Sequence, residues 1–399
     1  MSCLKKKELR IALLTAGKDS HYALGLLSVL VDEDLHIDFI GNDAMMDAED
    51  TKRPNVSYFN LRGDQRGDAP LMEKALRVLI YYTRLIAYAT RSDARIFHIL
   101  WLNKFMFFDK IFLNIYYKLL GKKIVFTAHN VNAGERDGTD SFLNRISLKF
   151  MYSVVDHIFV HTDRMKKQLV GDYYVSEEKV SVIPFGVNNV IPKSNMTRGA
   201  ARHRLRLKDS EKVMLFFGNI APYKGLEYLI SAMAALKEKI PDLRLIIAGR
   251  VKDKDCEDYW ERIQKLIDNN GLGQSILLHI RYVPDEEVEV FLKAVDVMIL
   301  PYKHIFQSGV IFLSYNFGLP VIAADVGSIR DSIIKGETGF VFRVEDIIDL
   351  EDKIELFFKS ELYGRTKENA RNIIEYVNKN NSWRKVSGIT YEIYQKLLN

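Results

Sequence analysis

In the stretch MLFFGNIAPYKGLEYLI, residues 214–230, the apolar run ends in a turn that holds Gly218, Pro222 and Gly225, and one lysine, Lys224, stands just before a helical pattern. A helix N-terminus offers free N–H groups and a positive dipole end, so it attracts anions, phosphate above all. A lysine there adds a mobile point charge. The order is not that of a P-loop, because the lysine precedes the last glycine. A solvated lysine in an ordinary strand–helix turn is the other reading. A second helix start follows in HIFQSGVIFLSYNFGLPVIAADVG, residues 304–327, where a loop with Gly309 opens a helix over 310–317. In the first half, Gly17 closes the first apolar run, and GKDSH opens a helix with Lys18 beside it. His129 follows a strand over 124–127 at its C-terminal end, where ligands of α/β sheets gather. It also reads as a satisfied loop histidine. Asp253, Lys254 and Asp255 form a D-x-D pattern that suits Mg²⁺ or Mn²⁺, but their charged surroundings, VKDKDCEDYWER, read better as a solvated helix start.

These residues need strands and helices to hold them. Strand patterns fall at 10–15, 36–40, 56–59, 95–99, 124–127, 157–160 and 180–183. After a less regular stretch, 188–210, they restart at 213–217, 243–248, 276–279, 297–300, 321–323 and 339–342. Helical spacing separates most of them; apolar Leu226, Leu229, Ile230, Met233 and Leu236 lie on one helix face. Two series of βα units predict two doubly wound domains with ligand sites at the C-terminal strand ends. The 188–210 stretch, with Pro192, Gly199 and several arginines, reads as an inter-domain linker. The expected division is residues 1–190, residues 211–381, and a final helix over 382–399 that crosses back onto the first domain.

The chain has 399 residues, is 48% hydrophobic and 27% charged, and carries a net charge of +5. That balance fits an anionic ligand or membrane surface and argues against nucleic acid as partner. Cys3 and Cys256 have no metal-ligand spacing and predict no disulfide framework. The opening MSCLKKKELRIALLTAG lacks a signal-peptide pattern, so a cytoplasmic protein is expected, at the inner face of a membrane if it meets one.

The succession FFGNIAPYKGLEYLI, LIIAGR, YVPDEEVEVFLKAVDVMILPY, QSGV with FGLPVIAADVGSIRD, and GETGFVF resembles the GT4-type glycosyltransferases of the GT-B fold. The resemblance continues, more thinly, at TAGKDSHYALGLLSVL, VFTAHNV and VDHIFVHTDRMKKQL. It implies two Rossmann-like domains facing each other across a cleft. It implies a nucleotide-diphosphate-sugar donor, UDP- or GDP-linked, on the second domain and a glycan or lipid-linked acceptor on the first. It further implies transfer with retention at the anomeric carbon and neither metal nor cofactor. Surface polysaccharide synthesis is the setting that such an acceptor implies.

The resemblance places Lys224 on the donor diphosphate and His129 near the transferred sugar. The family's arginine is missing: Asn219 stands at its usual place and Ala221 at the alternative one. Two glutamates of the family pattern are replaced by Ile305 and Leu313, with Gln307, Ser308, Gly309 and Val310 forming the loop between them. Donor-side residues are therefore Gly17, Asn219, Lys224, Gln307, Ser308, Gly309, Val310 and Leu313. Acceptor-side residues are Lys18, Asp19, His21, Asn130 and Glu135. Asp331 matches a carboxylate that ends the family's glycine loop. The departures keep two other readings open: a non-catalytic partner subunit, and a nucleotide-sugar epimerase or phosphorylase of similar fold. Finally, KFMFFDKIFLNIYYKLLGKK, residues 104–123, is aromatic-rich with lysines at its edges. It suits either a membrane-lying face, with Arg77, Arg84 and Arg91 adding to it, or a core-facing helix.

Overall fold

The computed structural model describes residues 9–65, 69–187, 191–364 and 366–398. Cys3, the basic opening segment and residues 188–190 of the expected linker lie outside them. Thirteen strands form two sheets. The first comprises β1 (Leu9–Leu14), β2 (Leu35–Gly41), β3 (Val56–Asn60), β4 (Ile96–Ile99), β5 (Lys123–Ala128), β6 (His157–Val160) and β7 (Val180–Val182). The second comprises β8 (Lys212–Phe217), β9 (Leu243–Ala248), β10 (Ile276–His279), β11 (Val297–Leu300), β12 (Val321–Ala324) and β13 (Gly339–Phe342). Each expected strand is present, with ends shifted by no more than a residue. The reason is local: short, nearly continuous runs of Val, Ile, Leu and Phe suit strands covered on both faces.

All strand pairs are parallel. The sheet orders are β3-β2-β1-β4-β5-β6-β7 and β10-β9-β8-β11-β12-β13. In both, the order reverses beside the first strand of the series. At such a switch point the two loops that leave the C-terminal strand ends diverge to opposite faces and open a crevice. The crevices lie between the loops after β1 and β4, and between those after β8 and β11.

The chain forms two compact units, residues 1–186 with 381–399, and residues 187–380. In the first unit the C-terminal helix Trp383–Leu398 packs on the helix Ser20–Leu30. Trp383, Val386 and Tyr394 join the core with Leu26, Leu30 and Phe39. Gly25 and Gly186 leave room for the Trp383 indole; a Cβ on either would lie 2.4 Å from it.

The expected linker is corrected. Its described part belongs to the second unit, which begins at Val187. Helix Arg198–Arg204 packs against helix Asp285–Ala294. Arg202 is 1% exposed and donates to the carbonyls of Ala294, Lys208, Asp209 and Glu211 and to the Asp296 carboxylate. A run of arginines reads as solvated, yet one guanidinium with five donors satisfies a whole turn of loop carbonyls when buried.

Candidate functional site

The second sheet's switch point carries the residues expected on the donor side except Gly17, which follows β1 in the first unit. After β8 the chain turns at Gly218 (φ 98°), and Pro222–Lys224 form one 3-10 turn. Gly225 (φ 64°) then starts the helix Leu226–Lys239. Gly225 is required twice: its φ is left-handed, and a Cβ there would sit 2.0 Å from the Pro301 carbonyl after β11. This contact clamps the two loops together. Lys303 N–H donates to the Tyr223 carbonyl (2.8 Å) in the same seam.

Lys224 is not a solvated lysine: it is 6% exposed. Its Nζ donates to the Phe217 carbonyl at 3.3 Å and lies 5.3 Å from the Tyr302 ring centroid and 5.8 Å from that of Phe216. The Tyr302 hydroxyl is 3.4 Å from Ser308 Oγ. Ser308 is buried and precedes the helix Gly309–Asn316, and its side chain makes no cap bond to that helix. A buried ammonium, an aromatic wall and two helix starts thus meet at one crevice. That set is suited to a diphosphate.

The other donor-side residues are placed unevenly. Gln307 Nε2 donates to Ser332 Oγ (3.4 Å), and its buried Oε1 has no partner among the described residues. Gly309 and Val310 are half-buried at the helix start, and Asn219 is exposed in the loop after β8. Leu313 is 6% exposed and packs into the core, so it offers an apolar surface only. Asp331 is exposed in the 3-10 turn Arg330–Ser332. Arg250 follows β9, and its carbonyl accepts from Ile220 N–H (2.8 Å), so its backbone lies beside the Asn219 loop. Asp253 and Asp255 flank Lys254 at the start of helix Glu257–Asn269, and no cluster able to hold a metal occurs among the described residues.

In the first unit, a pocket of about 500 Å³ opens at the other switch point. Loops after β1, β4 and β5 contribute Lys18, Trp101 and His129, and the floor includes Asn130, Asn132 and Lys110. His129 stacks on Trp101, centroids 4.4 Å apart and planes 6° from parallel. Tyr22 meets its edge at 4.5 Å. His129 Nδ1 shares a hydrogen bond with His161 Nε2 (3.0 Å). Burial first, then the neighbouring imidazoles of His161 and His98, hold its pKa well below the ordinary value, so it is neutral. The aromatic stack fixes the ring plane, and the His161 contact fixes which edge faces inward.

Lys18 Nζ donates to the Leu102 carbonyl (2.8 Å) and Lys110 Nζ to Asn144 Oδ1 (2.6 Å). Burial lowers the pKa of both. Asn130 lines the pocket. Asp19 caps the helix Ser20–Leu30, its carboxylate accepting from Tyr22 N–H, which occupies one oxygen in a structural role. His21 is half-buried on that helix, and Glu135 is exposed on the helix Ala133–Asp137; neither lines this pocket. Gln65 lies over Gly17, 2.3 Å from where its Cβ would be. Trp101, Lys110, Asn132 and His161 were not found from sequence. They meet only because β4, β5 and β6 are neighbours in the sheet.

Two doubly wound units, each with a crevice at its switch point, define a two-domain α/β protein. Residues 21–189 match the model of Glycosyltransferase Family 4, and residues 197–379 match that of Glycosyl transferases group 1. The chain belongs to the GT4-type glycosyltransferases of the GT-B fold. A D-inositol 3-phosphate glycosyltransferase of Corynebacterium diphtheriae is 28% identical over 244 residues, 58% of this chain and 56% of that protein. The chain thus spans about half the length of such curated relatives. The sucrose-phosphate synthase of Thermosynechococcus elongatus superimposes with a TM-score of 0.77 at 20% identity, covering 98% of this chain and 99% of that one. Anabaena Alr3699/HepE in complex with UDP-glucose gives 0.74 at 17% identity, covering 97% and 100%.

Proposed function

We propose that this chain moves a sugar from a nucleotide-diphosphate sugar to an acceptor, with retention at the anomeric carbon. The observation that carries the reading is the buried Lys224 ammonium beside two helix starts at one switch point. The second unit holds the donor through Lys224, the Gln307–Ser308–Gly309–Val310 loop and the Gly218–Asn219 turn, with Leu313 as apolar backing. The first unit holds the acceptor beside Lys18, Asn130 and His129, and Gly17 is the residue of this unit assigned to the donor. Asp19, His21 and Glu135 lie outside the pocket lining and are left for an acceptor that extends beyond it. UDP is the favoured nucleotide, since a neighbour of the same fold is held with UDP-glucose. The acceptor is a glycan, lipid-linked, of surface polysaccharide synthesis, and the reaction runs in the cytoplasm.

The bond between the anomeric carbon and the diphosphate oxygen breaks, and the electron pair leaves with that oxygen. The acceptor hydroxyl attacks from the same face and passes its proton to the departing phosphate. Negative charge grows on the diphosphate, where Lys224 and the helix N–H groups are preorganised to receive it. Positive charge grows on the sugar ring. A neutral His129, held by Trp101 and His161, adds no positive charge of its own.

The test is a thermal-shift screen of UDP-, GDP- and ADP-sugars, followed by product analysis. A binder raises the unfolding temperature in proportion to RT ln(1 + [L]/Kd). A glycoside as product supports transfer; a free epimer or a sugar phosphate supports the epimerase or phosphorylase reading. No stabilisation and no donor hydrolysis would leave the non-catalytic subunit, the reading favoured by Asn219, Ile305 and Leu313 in place of the family's arginine and two glutamates. His129→Ala should lower turnover more than donor affinity; weaker nucleotide binding with unchanged kcat would remove His129 from the sugar.

A further inference from the structure

Fourteen of the twenty-one exposed large apolar side chains among the described residues fall on three neighbouring helical segments of the first unit. Helix Leu71–Arg91 shows Leu71, Met72 (84% exposed), Leu76, Leu79 and Ile80. The helical segment 105–119 shows Phe105, Met106, Phe107, Phe112, Ile115 and Leu119 (80% exposed). Helix Phe142–Val154 shows Phe142, Leu143 and Ile146. The segments are tied side by side. Tyr82 donates to Asp109 and stacks on Phe105 (5.7 Å), and Lys110 bonds Asn144. In the middle segment Leu113 and Tyr117 are buried, whereas five phenylalanine, isoleucine and leucine side chains are exposed.

The charge on these segments is one-sided. Residues 71–91, 104–123 and 142–154 hold eleven lysines and arginines against two acids, Glu73 and Asp109, in a chain whose totals are 57 and 52. Asp109 is buried, and Glu73 pairs with Arg77. Arg84, Arg91, Lys104 and Lys149 are exposed. Large apolar tips interspersed with long basic side chains match the interfacial layer of a bilayer with anionic headgroups: tips enter the acyl boundary and cations stay at headgroup level. No helix among the described residues is long and apolar enough to cross a membrane, so the contact is one of lying on the surface.

We propose that these three segments are a docking face for an anionic lipid bilayer. Met106 is exposed on this face and also lines the acceptor pocket, as do Lys110 and Leu148 beside it. The pocket therefore opens at the edge of the face, where the headgroup of a lipid-linked acceptor would stand. That last step rests on the proposed transfer; the docking itself does not.

The experiment is co-sedimentation of the full chain with phosphatidylcholine vesicles, with and without phosphatidylglycerol. Binding is expected only with phosphatidylglycerol, and raised salt should weaken it. Arg84→Gln with Arg91→Gln should lower partitioning by roughly 30-fold, about 5-fold for each charge near the surface. Phe107→Ser with Leu119→Ser should lower it by about 10-fold or more. Both double variants should melt as the parent does, since the side chains are exposed, and should keep transfer to a soluble acceptor. Failure to bind, or binding indifferent to either variant, overturns the proposal while leaving glycosyl transfer standing. A dimer in size exclusion that the serine variant dissociates, without vesicle binding, would assign the face to a second copy instead.

Discussion

Replacing Lys224 by methionine removes one charge and little else. The side chain is 6% exposed, and its ammonium rests on the Phe217 carbonyl and two aromatic faces, 3.0 Å from where a Cβ on Gly218 would stand. Alanine would remove the buried stem and cost about 2–3 kcal/mol of stability through lost packing, confusing the readout. Methionine keeps the stem. It leaves the Phe217 carbonyl short of one donor, about 1 kcal/mol, and relieves the desolvation of a charge, so the net change in stability should be about 1 kcal/mol or less. The catalytic loss is larger. A unit charge at about 4 Å from a phosphate oxygen, at an effective dielectric of about 20, interacts by about 4 kcal/mol. Losing a preorganised donor to a developing anion costs about 2.7–4 kcal/mol. We expect kcat/KM to fall roughly 30- to 1,000-fold, that is by about 2–4 kcal/mol. The assay measures initial rates with each nucleotide sugar that stabilises the parent, together with urea unfolding of both proteins. A Lys224→Met protein that is folded and within about threefold of parental kcat/KM would refute the placement of the donor diphosphate at this crevice.

Two further outcomes follow from buried polar groups. His98, His157, His161 and His129 are all pushed below the ordinary imidazole value, chiefly by burial: His98 to about 3, His157 and His161 to about 4. The unfolded chain binds these protons near pH 6.5 and the native chain does not, so stability is fully present above about pH 6.5 and is lost as pH falls towards 4. Urea unfolding between pH 7 and 5 should show a slope of at least ~1.4 kcal/mol per pH unit, that of one imidazole; a flat profile would mean that these rings are not neutral and buried. Arg202→Ala leaves Asp296 and four carbonyls without their shared donor and should destabilise the second unit by about 3–5 kcal/mol, read by denaturant unfolding; a loss below about 1 kcal/mol would show the cluster to be dispensable.

The strands and the turns that carry Lys224, Ser308 and His129 were legible in the sequence because their causes are local. Runs such as LIIA and VMIL mark strands covered on both faces, and the glycines at 218 and 225 mark backbone that only glycine adopts cheaply. Family resemblance ordered those pieces into two sugar-nucleotide-type domains. What the sequence could not show is which pieces meet. Sheet order decides that β1 and β4, and β8 and β11, are the neighbours that open crevices, and it alone brings Trp101 and His161 to His129. Burial is likewise a property of the assembled chain. Lys224 and Arg202 look solvated in sequence and are enclosed in the fold, whereas Phe107 and Leu119 look like core and stand outside. The physical reason is the same in each case: backbone conformation responds to residues within a few positions, whereas solvation and electrostatics respond to everything within several ångströms, and only the tertiary structure fixes what that is.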